Sequence, residues 1–531
     1  MSNAIILERL PYLGLDLEEI AEEYVRVEYN PNRPDFSTDY GIARALNGLL
    51  GLETGAPEYR VRKGSLKILV DSSVRSVRPY IGGVVVRQIK FDDETLRQII
   101  SMQEDLHNGI GRKRRKVAIG LHNFDVVRPP IKYGTAGGEF RFIPLGDNSA
   151  ISIKEILRNT EQGRHYSALL SQFNRYPILT DSMGNVLSFP PIINGELTRV
   201  TDSTTNLFVD VTGTEMKTVE DSLSILSAAL QDAGGHLESV EVLYGKKRMR
   251  TPDLNPIGIS LDLGYARKLL GLDLTSRNAV QCLARSRITA RPLKDKIHAL
   301  LPRYRIDILH EVDLVEDIAI GFGLDKIQPT IPRSNLIGSF DKQLTHLALM
   351  RETLTSLGFT EVMNFSLVSK QLLRDSKTQD EEVRLSVDNP KTTEHEVLRP
   401  RILPSLLAVL SRNIHEEYPQ RVFEIAKVFL RDESPVVVSE SFHLGFSIAH
   451  GQANYSEAKS YLASALSGAL GIECKTLPKD DPMFIEGRGA EIRVREQAVG
   501  VLGEISPSVL QSFALRTPVS ACELDLTKLL R

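Results

Sequence analysis

The segment RYRIDILHEVDLVEDIAIGFG, residues 303–323, holds the densest set of groups able to do chemistry. Read as a helix, it sets Val312, Val315, Ile318, Ala319 and Phe322 on one side and Asp313, Glu316 and Asp317, at i, i+3 and i+4, on the other. Asp307 ends the strand that leads in. Crowded carboxylates raise one another's pKa unless a cation or a basic partner compensates. Mg²⁺ suits such a ridge, because it takes one or two carboxylates and keeps several waters. The same spacing also describes a solvated helix face, and the residues alone leave both readings open.

A second run, 188–214, is rich in Asn, Glu, Asp and Thr and framed by apolar stretches. Its plain reading is turn chemistry, since Asn194-Gly195 is a hairpin signal and Thr212-Gly213 suits another turn. No GxSxG occurs, and Cys282 has no evident base, so a hydrolytic site here would work through a positioned water and oxyanion stabilisation. Two basic runs, GRKRRK at 111–116 and GKKRMR at 245–250, fit either phosphate contacts or solvated loops; no aromatic platform accompanies them.

Several scaffolds must position these groups. At 531 residues the chain exceeds one hydrophobic core, and about 150 residues per domain gives roughly three to four domains. With 42% hydrophobic and 25% charged residues, the composition excludes a disordered or collagen-like chain. The 65 Lys and Arg against 68 Asp and Glu leave a net charge of -3, so any nucleic-acid contact is local. Cys282, Cys474 and Cys522 are far apart, with no CxxC and no nearby His, which argues against zinc and fits a reducing cytosol. Apolar stretches such as 81–86 and 435–438 are much shorter than the roughly 18 residues of a membrane span and read as buried strands.

The helical pattern is clear in three places. Ile42, Ala45, Leu46 and Leu49 mark a short helix after NPNRPD, with Asp35 or Ser37 as N-cap and Gly51 as stop. Leu96, Ile99, Ile100, Gln103 and Leu106 mark another, from Asp92/Asp93 to Asn108-Gly109. Val219, Leu223, Leu226 and Leu230 line one face of a third that runs to Asp232, with Thr218 and Asp221 arranged like a capping box.

The segments NPNRPDFSTDYGIARALNGLLG (30–51), VAIGLHNFD (117–125), PPIINGELTRVT (190–201), NLFVDVTGT (206–214) and the acidic helix stand in one order that resembles the β subunit of phenylalanyl-tRNA synthetase, in its archaeal and eukaryotic cytosolic form. The resemblance spans nearly the whole chain. It implies a multidomain α+β protein: an N-terminal segment with the NRPD motif (1–62), a tRNA-editing α+β domain (63–252), a small α/β module with a Mg-associated acidic helix (253–333), and a class II synthetase-like antiparallel-sheet domain without catalytic motifs (334–531). It also implies that Asp307, Asp313, Glu316 and Asp317 bind Mg²⁺ shared with an α subunit. Asn194, Glu196, Asp210 and Thr212 become the candidate editing pocket, offering amide, carboxylate and hydroxyl groups for the phenol, the amino group or an attacking water of tyrosine esterified to tRNA(Phe). Such a pocket answers a physical limit: an apolar site rejects an extra hydroxyl by only about 10²-fold, whereas translation needs on the order of 10⁴. His165 and Tyr166 are further candidates near the acceptor end.

In a catalytic class II synthetase one motif pairs an Arg with a Glu two residues on, and another ends in Glu-Arg. Here RVFEIAKVF, 421–429, keeps Glu424 but has Val422 where that Arg would fall, and Glu8-Arg9 is the chain's one Glu-Arg pair. The resemblance therefore implies a cytoplasmic, non-activating subunit of an α2β2 heterotetramer, with ATP a substrate of the complex, tRNA(Phe) a partner and no membrane role. A stand-alone aminoacyl-tRNA deacylase and a structural scaffold subunit with an inert pocket are the alternatives.

Overall fold

The apolar run at 81–86 lies within a strand, β1 (Tyr80–Arg87), in which six successive residues are buried. Burial on both faces requires cover from two sides, the pattern of a central strand. β1 sits between His236–Tyr244 and β3 (Leu207–Gly213), with β2 (Val117–Asn123) beyond β3. On the other side the sheet continues through Lys67–Val70, Ile131–Gly137, Arg175–Thr180 and Val186–Phe189 to the two-residue strand Ile193–Asn194. The structure, a computed structural model, describes residues 3–378, 385–432 and 438–530. It divides into two units, Met1–Ile331 and Pro332–Arg531. Of the expected strand at 435–438 only Val438 is described; the rest lies outside the described residues.

Two helices cover one face of this large sheet. α1 (Asp93–Asn108) begins where expected, the Asp92 carboxylate accepting from the Thr95 N–H at 2.7 Å. α2 (Met216–Asp232) starts earlier than its apolar pattern predicts and has no side-chain cap; Thr218 donates to Glu215 instead. It is also buried nearly all round rather than on one face, because Ser222, Ser224, Ser227, Ala228 and Ala229 are small enough for close cover. Leu226 and Leu230, each fully buried, contribute about 1.5–3 kcal/mol apiece.

The NPNRPD segment leads into the helix Asp39–Leu49, which is capped by Thr38 rather than Asp35 or Ser37. Asp35 is occupied otherwise, buried between Arg33 (2.9 Å) and Arg44 (3.0 Å). Burial alone would raise its carboxyl, but Arg33, Arg44 and Arg305 outweigh that and hold it at about 2. Arg44 also pairs with Asp232 at the end of α2 and lies over the Tyr304 ring, so one ionic cluster joins the N-terminal segment, α2 and the module that follows. Gly41 is required there, since a Cβ would fall 1.6 Å from the Asp35 carbonyl oxygen.

That module has a three-stranded antiparallel sheet, Ile257–Asp262, Lys296–Leu301 and Thr289–Leu293 in spatial order, with α3 (Ser276–Arg285) and α4 (Glu311–Phe322) packed together. Leu314, Val315 and Ile318 of α4 enter the core, but Val312 is 41% exposed and Asp317 is buried, which departs from the two-sided helix predicted from spacing. The cause is Arg305, which draws Asp317 inward.

The second unit is built on a seven-stranded sheet in the order Thr360–Glu361, β4 (Gln420–Arg431), β5 (Val438–Ala449), β6 (Val519–Asp525), Gln497–Ile505, Phe484–Val494 and Lys475–Pro478, antiparallel except at its first pair. Helices Lys342–Ser356 and Tyr455–Leu470 contribute to one core and α5 (Leu403–Arg412) to another. Among the described residues no helix is long and apolar enough to cross a membrane, and the three cysteines are unpaired.

A buried charge cluster in this unit makes its stability depend on pH. Glu523 accepts from the Ile402 and Leu403 N–H groups and from His443 Nδ1 at 2.9 Å. Burial disfavours the His443 imidazolium, but Asp525 and Glu523 raise it to about 9; burial likewise opposes the Glu523 carboxylate, which His443 and Arg401 bring down to about 2. The histidine contribution is therefore complete below its ordinary value of 6.5 and disappears as pH rises through about 9, while the Glu523 contribution is complete above 4.5 and disappears as pH falls toward about 2. Thermal unfolding of the protein and its His443→Gln variant should differ most near pH 6 and converge above pH 9. A gap that stays constant from pH 6 to 10 would contradict this.

Candidate functional site

β2 and β3 pair so that Asp210 lies opposite Gly120 and Phe208 opposite His122. Alternation along β3 then points Asp210 and Thr212 to the face opposite the one α1 and α2 cover, where residues 188–194 and, at the β2 edge of the sheet, Ile100, Gln103 and Glu104 of α1 complete a cavity of about 240 Å³. Its apolar wall includes Ile100, Ile119, Phe189 and Ile192, and its polar groups include Gln103, Glu104, Arg114, Ser188, Asn194, Asp210 and Thr212. A few convergent polar groups on an apolar lining are the usual make-up of a small-ligand site.

Asp210 is 1% exposed. Its Oδ1 meets His122 Nε2 at 2.7 Å, while its Oδ2 has no hydrogen-bond partner among the described residues. Thr212 is tied to Arg78, whose Nε donates to its Oγ1 at 3.0 Å and whose Nη2 donates to its carbonyl at 2.8 Å. Burial lowers Arg78 to about 10, so it stays cationic at neutral pH behind the cavity wall. Asn194 donates to the Leu121 carbonyl at 3.3 Å.

Glu104 sits nearer solvent, its side chain 45% exposed. His107 accepts the Ile119 N–H on Nε2 at 2.8 Å, so its Nδ1 carries the hydrogen and donates to Glu104 at 3.0 Å. That bond, with Arg114 at 2.8 Å, holds the Glu104 carboxyl at about 2. Arg114 also donates to the Pro191 and Ile192 carbonyls and lies 4.4 Å from the Tyr166 ring centre. It reaches inward because Arg112, Lys113 and Arg114 are successively left-handed in φ, a tight loop whose Arg114 carbonyl accepts from Arg78.

Of the four pocket residues named from sequence, Asn194, Asp210 and Thr212 line this cavity. Glu196 does not; it pairs with Arg199 at 2.8 Å and accepts the Gly146 N–H. Asn194 ends a short strand and Thr212-Gly213 lies within β3, so neither forms the turn its dipeptide suggests. Sequence reasoning missed Arg78, Glu104 and His107, counted Arg114 in a basic run rather than in the pocket, and gave His122 no role. The i, i+3 spacing of Glu104 and His107 on α1 was the available signal. Of the first basic run, Arg112, Lys113 and Arg115 are exposed; of the second, Lys246, Lys247, Arg248 and Arg250 are.

The four acids of the module line a second cavity, of about 330 Å³, together with Asn30, Asn32 and Arg33 of the N-terminal segment. They do different things there. Asp307 and Asp317 each bind Arg305 at 2.8 Å, and Asp313 Oδ2 accepts the Leu309 and His310 N–H groups at 2.7 Å. Glu316 is exposed and has no charged partner among the described residues. Among the described residues no group of three or more His, Cys, Asp or Glu side chains is arranged to hold a metal ion. The basic compensation that crowded carboxylates need comes from Arg305. Of the four acids, Glu316 and the second oxygen of Asp313 are the groups without a hydrogen-bond or ion-pair partner among the described residues.

In the second unit Glu424, on β4, is 2% exposed and Arg399 is 1% exposed. They form a two-pronged pair at 2.8 and 3.0 Å, and Asn364 completes the Glu424 shell through its backbone N–H and side-chain amide.

Residues 259–324 match the family model of the tRNA synthetase B5 domain, and residues 327–526 match that of the phenylalanyl tRNA synthetase beta chain CLM domain. Fold and matches together define an aminoacyl-tRNA synthetase component. The phenylalanine–tRNA ligase beta subunit of Archaeoglobus fulgidus is 41% identical over 98% of this chain and 94% of its own length, and that of Methanococcoides burtonii 38% identical over 98% and 96%. The crystal structure of an N-terminal fragment of the phenylalanyl-tRNA synthetase beta subunit from Pyrococcus horikoshii superposes with a TM-score of 0.59 at 36% identity, over 61% of this chain and 94% of the fragment. The chain belongs to the phenylalanine–tRNA ligase β-subunit family.

Proposed function

We propose that this subunit hydrolyses tyrosine wrongly esterified to tRNA(Phe) in the cavity lined by β2, β3 and residues 188–194, while an α subunit in an α2β2 assembly activates phenylalanine with ATP. The observation that carries the reading is a deeply buried carboxylate with a free oxygen at the end of an apolar cavity. The ester of an aminoacyl-tRNA must stay at the mouth, where the RNA is, so the side chain points inward. Asp210 then accepts the phenol O–H, and the more exposed Glu104 meets the α-ammonium group beside the ester. Asn194 and Thr212 line the same space and supply amide and hydroxyl groups for the substrate or the attacking water; Glu196, paired with Arg199, supports the rim loop through Gly146. A site built around a hydroxyl discriminates against its absence by far more than an apolar pocket discriminates against its presence. The exposed Arg112, Lys113 and Arg115 beside Arg114 put local positive charge near the mouth, as an RNA acceptor end requires. The experiment is deacylation of Tyr-tRNA(Phe) and Phe-tRNA(Phe) by the complete complex: the tyrosyl ester should be cleaved much faster, and equal rates would refute the assignment.

The partner is supported by the second unit, where Leu336, Ile337, Phe340, Met363 and Phe365 are 76–96% exposed. Large apolar side chains in such number mark a surface that another protein covers. Buried Glu424, satisfied by Arg399 and Asn364, supports a non-activating role, since the pair is closed on itself.

Glu316, with Asp313, would hold Mg²⁺ between the chains, where the ion supplies positive charge and the α subunit completes its shell. Asp307 and Asp317 stand behind them as counter-ions of Arg305. Glu316→Gln should therefore shift the Mg²⁺ dependence of αβ association several-fold without lowering the thermal stability of the chain. Sedimentation of the complex across a magnesium titration measures this, and an unchanged midpoint would refute it.

A further inference from the structure

Behind Asp210 runs a buried chain that no direct substrate contact explains. His122 is 0% exposed, with Nε2 2.7 Å from Asp210 Oδ1 and Nδ1 2.8 Å from Thr198 Oγ1. The Thr198 hydroxyl has one other acceptor in reach, the Gly195 carbonyl at 3.4 Å, and the shorter contact takes its hydrogen. Thr198 thus donates to Nδ1, which leaves Nε2–H to donate to Asp210; the opposite tautomer would set a bare nitrogen lone pair against a carboxylate. The ring is held by stacking on Phe208, with centroids 5.9 Å apart and planes 24° apart. Gly120 leaves the space for this bond, since a Cβ there would fall 2.3 Å from Asp210 Oδ1 and 2.6 Å from His122 Nε2.

We propose that His122 is a positioning residue that sets the tyrosine-over-phenylalanine preference of the cavity: by engaging Oδ1 it fixes the Asp210 carboxylate so that Oδ2 is presented to the phenol. This rests on the editing reading above and adds the residue on which its selectivity depends. Thr198 acts one step further back, by fixing the tautomer of His122.

Two near-isosteric variants separate positioning from mere packing. In His122→Gln the amide nitrogen takes the place of Nε2 and still donates to Asp210. In His122→Asn it takes the place of Nδ1, faces Thr198 and leaves Asp210 Oδ1 with only the long 3.5 Å contact from the Ser188 hydroxyl. In the complete complex, deacylation of Tyr-tRNA(Phe) and Phe-tRNA(Phe) should show a tyrosine-to-phenylalanine kcat/KM ratio within about 3-fold of normal for Gln and lowered roughly 10- to 100-fold for Asn, the range of one hydrogen bond to a charged group. Thr198→Val should lower the ratio in the same direction and by less, and keeps the test available if a His122 variant fails to fold. Equal ratios for Gln and Asn, or a loss that falls equally on both esters, would overturn the proposal while leaving the editing reading in place. A wild-type complex that hydrolyses neither ester would overturn that reading and the role of His122 with it.

Discussion

Asp210→Asn should lower kcat/KM for Tyr-tRNA(Phe) deacylation by about 100-fold in the complete complex and leave phenylalanine charging unchanged. The amide matches the carboxylate in shape, so the cavity and the His122 contact survive, while the charged acceptor for the phenol does not. Hydrogen bonds to charged groups contribute about 1.5–3 kcal/mol, and in a buried site the unpaired phenol adds its own desolvation cost. Hydrolysis of Phe-tRNA(Phe), which places no hydroxyl against Asp210, should change much less. Steady-state deacylation of both esters measures the contrast. Unaltered tyrosyl hydrolysis would mean that Asp210 is structural and that the phenol is recognised elsewhere.

Arg399→Met should destabilise the second unit by about 3–5 kcal/mol, because it leaves Glu424 buried beside Asn364 with no cation. For a unit of this size that corresponds to a fall in Tm of roughly 6–20 °C. The double change Arg399→Met with Glu424→Leu removes both charges and should restore most of the loss, since a buried pair replaced by apolar groups is often close to neutral. Calorimetric unfolding of the two single variants and the double variant closes a double-mutant cycle. A single variant that unfolds at the wild-type temperature would show that the pair is not buried as described.

Much of the architecture was legible because it depends on local pattern. The run at 81–86 is continuous and apolar, as a strand buried on both faces must be, and α1 has its cap and stop within its own segment. α2 was read as one-sided because its serines and alanines count as polar or neutral in a periodicity, yet their small size is what permits burial all round. The candidate pocket was half legible. Asn194, Asp210 and Thr212 lie within 19 residues of one another, whereas Glu104 and Arg114 come from a helix and a loop roughly 100 residues away that only the fold brings to the same cavity. The acidic helix gave the converse lesson. Its carboxylates are easily counted, but what each does depends on Arg305, two residues before Asp307 and absent from a reading that followed acids alone.

The proposed function gives this subunit a synthetase-like domain without activating chemistry. Phenylalanine-dependent ATP–pyrophosphate exchange by this chain alone tests it most directly. The expected result is no exchange above the amino-acid-free blank, with exchange appearing once the α subunit is added. Exchange sustained by the chain by itself would contradict it.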